Sequence, residues 1–185
     1  MADRNCLCCI CTGDPTTFDP VTAQCAEAIN KHGVNLIGVF PTSKDEAPPY
    51  VYSVGMWHSY GQPELAIYGV GSAEIMAHAL NVIAAHASRG RELLAGVAFD
   101  DAMAMPGVDR YVVRLSPIHS SWRASGQFGA GDRFSGTREV PYLHVLWPDR
   151  AGRYPGDRTF DAHFDDRQPQ QWLPRADHPP SVWLR

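Results

Sequence analysis

The sequence predicts an α+β domain built on a mostly antiparallel sheet of about five strands, packed by two main helices. Three observations lead there. Apolar runs of strand length follow one another across short turns, as in an antiparallel meander. Two stretches carry an apolar stripe at helical spacing instead. The helices do not alternate regularly with the strands, which argues against a doubly wound parallel sheet. At 185 residues, 44% hydrophobic and 19% charged, the chain has the composition of a single globular domain with a real core.

The expected organisation is a cysteine-rich leader over residues 1–19 without regular structure, a globular domain over 20–155, and an irregular tail over 156–185 lying on the domain surface. The first helix follows Asp19, a suitable N-cap, with Pro20 in the first turn where proline is tolerated. Val21, Cys25, Ala28, Ile29 and His32 share its stripe and Gly33 stops it, which makes Cys25 a core thiol. Residues 34–40, 50–57 and 64–70 read as three successive strands. The clearest helix comes next, capped by Ser72, with Glu74 in its first turn and Met76, Leu80, Ile83, Ala84 and Ala87 on its apolar face; Arg89 and Gly90 end it. The turn before it, "GVGSAE" over 69–74, has Glu74 where a dinucleotide loop needs its third glycine, so it reads as a tight turn.

Residues 109–118 alternate, with Tyr111, Val113 and Leu115 on one face and Arg110 and Arg114 on the other; they form a solvated face or an anion clamp. A last strand is expected over 140–147. Between these two, glycines at 126, 129, 131 and 136 argue against regular structure and suit a mobile lid carrying Asp132 and Arg133. After Pro148, five more prolines (155, 169, 174, 179 and 180) mark the tail.

"PPYVYSVGMWHSYGQPELAIYGV" resembles the signature of a bacterial family known as domain of unknown function 4262: Tyr52, Ser53, Val54, Gly55 and Met56, then Gly61, Pro63, Glu64 and Leu65. "SPIHSSW" and "PYLHVLWPDRAGRYP" are similar to two later blocks of the same family, in the same order. The resemblance runs over about residues 20–155 and implies one compact domain; it implies no activity, cofactor or catalytic set. Similar proteins carry a sparser N-terminal cysteine pair than the one here.

The densest chemical signal is "CLCCICTG", residues 6–13, which holds four of the five cysteines. Cys6, Cys8, Cys9 and Cys11 form two interleaved C-x₂-C pairs, and thiolates suit zinc or copper. Downstream cysteine pairs are missing, so histidines would complete the set, or Cys8, Cys9 and Cys11 would hold Cu(I). Redox exchange and an inert leader are the other readings. Among the eight histidines, His58, His119 and His144 fall at or near strand ends and would be catalytic if they converged, with Trp57, Trp122 and Arg133 lining a cofactor pocket.

A net charge of −4 without a basic run excludes a general grip on nucleic acid. The apolar runs stop short of the roughly 20 residues that span a bilayer, and no secretory signal opens the sequence, so a cytoplasmic protein is expected. Nucleophile elbow, H-E-x-x-H, P-loop and EF-hand patterns are missing. The leading expectation is a small metal-binding protein, in its catalytic version a metal-dependent enzyme acting on a small molecule. The rival is a non-catalytic module recognising a protein or small ligand through an aromatic surface around Trp57, Trp122 and Trp147; a bound flavin is a third reading.

Overall fold

A computed structural model describes residues 6–43, 46–136 and 139–185. Its centre is a six-stranded sheet: β1 (Asn35–Val39), β2 (Tyr50–Val54), β3 (Glu64–Tyr68), β4 (Ala98–Phe99), β5 (Val113–Pro117) and β6 (Tyr142–Leu146), in spatial order β1-β2-β3-β6-β5-β4. The α+β class holds, with two corrections. There is a sixth strand, the two-residue β4, too short to leave a periodic signal. The sheet is also mixed: β1-β2-β3 and β4-β5-β6 are antiparallel meanders, but they join through a parallel β3–β6 pair with Ala66 opposite His144. A parallel pair requires a long crossover; here the chain passes through three helices, β4 and β5 before β6 returns alongside β3.

The α-helices are α1 (Cys9–Thr12), α2 (Pro20–His32), α3 (Met56–Tyr60), α4 (Ala73–Ser88), α5 (Ser120–Arg123) and α6 (Gly129–Ser135). The two long ones sit where the caps predict. Asp19 accepts from the amides of Val21 and Thr22, and the Ser72 hydroxyl accepts from Ile75. Four short helices were not legible. The leader contains α1 and a 3₁₀ turn, Pro15–Thr17. The second strand stops at Val54, and Trp57 and His58 lie on α3. The glycine-rich segment expected to be irregular forms α5 and α6, with the Asp132 carboxylate held by the Arg123 guanidinium. A single turn needs few periodic residues and gains its stability from packing, not propensity.

Side-chain alternation gives the sheet two buried faces. Val51, Leu65, Ile67, Leu143 and Val145 pack under Met76, Leu80 and Ile83 of α4. The other face presents Tyr50, Tyr52, Val54, Ala66, Tyr68 and Tyr142 to Cys25 and Ile29 of α2, Phe134 of α6 and Trp183 of the C-terminal segment. Cys25 is 2% exposed and accepts a hydrogen bond from the Asn35 amide at 3.1 Å, a core thiol as read from the helix stripe. Beyond β6 the described chain makes only 3₁₀ turns, yet it buries Gln168, Gln171 and His178 as well as Trp183. No helix among the described residues is long and apolar enough to cross a membrane.

Asp149 organises the turn that follows β6. Its carboxylate is 1% exposed and accepts from the Ala151, Arg153 and Asp161 amides and from Arg153 Nε at 2.8 Å. Burial alone would raise its pKa; the four donors outweigh that and hold it below the usual carboxylate value. The contribution to stability is therefore complete above the unfolded-state pKa near 3.8 and is lost as pH falls below it. Asp149→Asn should cost about 2 kcal/mol in denaturant melts at pH 7. The deficit relative to the parent protein should shrink as the melts are repeated towards pH 3.

Candidate metal centre

A glycine and a carboxylate build the platform of the site. At Gly55 the chain leaves β2 with φ +107°, and a Cβ there would stand 2.6 Å from Ile29 Cγ1 of α2. Both facts require glycine. The chain then turns at once into α3, whose first amides would be unpaired in the interior. Glu64, 3% exposed on β3, supplies the acceptor: Oε1 takes the amides of Gly55 (2.9 Å) and Trp57 (3.2 Å), and Oε2 takes the Ser53 hydroxyl (2.6 Å). Ser53 Oγ in turn accepts from the Leu65 amide at 2.8 Å. Burial raises the Glu64 pKa, while the Ser53 hydroxyl and these amides favour its charged form.

The platform carries His58. Its Nδ1 lies 3.8 Å from Cys6 Sγ, 3.3 Å from Cys8 Sγ and 3.4 Å from Cys11 Sγ. All four ligand atoms lie within 4.8 Å of one another. With Zn–S of about 2.3 Å and Zn–N of about 2.05 Å, a tetrahedral site has S···N edges of roughly 3.6 Å. The three distances bracket that value, so the S···N spacings of this S₃N group suit a tetrahedral ion. Helix α1 brings it about: the Cys11 and Thr12 amides bond back to the Cys8 carbonyl, folding the segment so that three thiols converge. Cys6 and Cys8 are buried, Cys11 is exposed, and Phe134 of α6 meets the His58 ring edge-on at 6.4 Å.

Cys9 falls outside the group. It is half-buried and packs into the aromatic face of the core, so of the four N-terminal cysteines three converge. Burial pushes the thiols of Cys8, Cys9 and Cys11 above their ordinary pKa and pulls the His58 ring below its own. At neutral pH the imidazole is an unprotonated donor, and an arriving cation displaces protons from the thiols. Beside the site, between Cys6, Cys8, Trp57, His58 and Glu64, is a cavity of about 10 Å³, room for a water molecule at most.

The other expected site residues go elsewhere. His119 is exposed and caps α5, its Nδ1 accepting from the Ser121 amide. His144 is fully buried against Tyr68, with ring centroids 4.7 Å apart, and neither ring nitrogen has a hydrogen-bond partner among the described residues. Burial lowers its pKa to about 3, which keeps the ring neutral. Trp57 stands beside the cysteine site. Trp122 is 1% exposed and donates its indole N–H to the Leu173 carbonyl. Arg133 is exposed on α6, close enough to α2 for its charge to act on Asp19 and Cys25. The aromatic residues do cluster, but inside: Trp122 and Trp147 belong to the cores on opposite faces of the sheet and do not share a surface. Glu64 was legible only as a motif residue, because its role depends on a turn that brings Gly55 and Trp57 over it.

A family model described as "Domain of unknown function (DUF4262)" matches residues 28–161. The matched span contains His58 and Glu64, while Cys6, Cys8 and Cys11 precede it. No match was found among curated proteins or among solved structures.

Replacing Glu64 by Ala leaves the Ser53 hydroxyl and two amides without their acceptor. Urea unfolding should show a loss of about 3 kcal/mol. Glu64→Gln, which keeps one acceptor oxygen, should lose less.

Proposed function

The chain belongs to the DUF4262 family, and we propose that it is a metal-binding protein whose Cys6, Cys8, Cys11 and His58 hold one zinc ion. The observation that carries this reading is the S₃N group drawn from two places about fifty residues apart, with distances of 3.3–3.8 Å from the three thiols to His58 Nδ1. Zinc suits it because three thiolates and an imidazole satisfy a d¹⁰ ion without geometric strain. A Cu(I) site of Cys8, Cys9 and Cys11 is less well supported, since Cys9 lies outside the group.

Four protein ligands fill a tetrahedral shell, which is the pattern of a structural zinc; a catalytic zinc keeps one position for water or substrate. The cavity of about 10 Å³ beside it points the same way. The ion would fasten the N-terminal segment to α3 and, through Glu64, to the middle of the sheet. A catalytic centre of His58, His119 and His144 draws no support from this arrangement, and the geometry lends none to a flavin.

Elemental analysis of untagged protein purified without chelator should find about one zinc per chain. Cys6→Ser, Cys8→Ser, Cys11→Ser or His58→Ala should each lower that content, whereas Cys9→Ser should retain it. Cobalt substitution should give the intense visible bands of tetrahedral thiolate coordination. Zinc-free protein from every preparation, with no uptake on addition of the ion, would overturn the reading. Chelation should expose residues 6–13 to protease before the sheet unfolds.

A further inference from the structure

We propose that the cleft between the Asp149 turn and the outer face of β5 binds a small phosphorylated molecule. This cleft, of about 500 Å³, is lined by Arg110, Arg114 and Arg150 together with Tyr111, Asp149 and Tyr154. Its volume is in the range of small-molecule sites, larger than a bare phosphate needs, which leaves room for an organic body. It shares no lining residue with the cysteine site.

The charge balance inside the cleft favours a dianion. Three arginines line it from different segments: the loop before β5, β5 itself and the turn after β6. The one carboxylate among the lining residues, Asp149, is 1% exposed and already committed to Arg153 and three amides. Neither Arg114 nor Arg150 makes an ion pair among the described residues. Arg110 pairs with Asp100 at 3.0 Å, but the two side chains are 74% and 55% exposed. A pair so open to water is weak enough for a phosphate to displace. In a protein of net charge −4, this local excess of positive charge concentrates an anion at one place.

The walls are also held in position. The Tyr111 hydroxyl donates to the Pro148 carbonyl at 2.6 Å, and the Tyr154 hydroxyl donates to the Val112 carbonyl at 2.8 Å, so both ends of the turn are tied to the two residues that lead into β5. The Arg114 guanidinium lies over the Tyr154 ring, 4.4 Å from its centroid. This contact holds the guanidinium at the cleft, and arginine grips phosphate oxygens in pairs through its N–H edge.

Inorganic pyrophosphate is the probe. Titrated into the ¹⁵N-labelled full chain, it should give saturable amide shifts confined to residues 110–114 and 148–154. The affinity should fall as salt rises. Arg114→Gln with Arg150→Gln should weaken binding about tenfold or more with the thermal midpoint nearly unchanged, because both side chains are exposed. Should the double variant unfold, Arg150→Gln alone, on the turn, should shift the affinity in the same direction. Shifts that never saturate, shifts scattered over the surface, or equal binding by the variants would overturn the proposal.

Discussion

A carboxylate with almost no contact with water, Glu64, sets the conditions for most of what lies around it. Its two oxygens collect donors from the end of β2, the Gly55 turn and the start of α3, and its own amide donates to the Pro141 carbonyl beside β6. A buried carboxyl group is tolerated only when its polar atoms are taken up in this way. The same constraint decides where α3 begins, and therefore where His58 points. The glycine before it follows from a second necessity, the close approach of Ile29. The candidate metal centre rests on a turn that only this combination of residues can make.

From that turn the structure spreads in two directions. On one side, three thiols in and just before a short N-terminal helix meet an imidazole about fifty positions later, and an ion held between them would cross-link that segment to α3. On the other side, the parallel β3–β6 pair fuses two antiparallel meanders into one sheet with both faces covered. The outer end of the second meander carries the arginine-lined cleft. Its walls are tied together by two tyrosine hydroxyls, and the turn is held from within by the Asp149 carboxylate.

Several elements could be read from the chain because their signals are local. Asp19, Pro20 and Gly33 bracket α2, and Ser72 opens α4, since capping is a matter of residues two or three apart. The strands of the first meander announce themselves by apolar runs between turn residues. The short helices could not be read. Helix α6 contains two glycines in "GAGDRFS" and is helical because Phe134 is buried and Asp132 meets Arg123. The placing of Trp57 and His58 on a helix depends on Glu64 in the same way.

By itself, the sequence determined the α+β class, the ends of the two long helices, and the presence of an N-terminal thiol cluster with metal-ligand spacing. Each is fixed by side-chain periodicity, caps or the chemistry of one residue type within a few positions. Only the tertiary structure decided that β6 runs parallel to β3, that His58 and not His119 or His144 joins the thiols, that Cys9 stands apart, and that Arg150 lines the same cleft as Arg110 and Arg114. These depend on which distant segments are brought within a few ångströms of each other, and that follows from how the two meanders pack and where a buried carboxylate can find its donors.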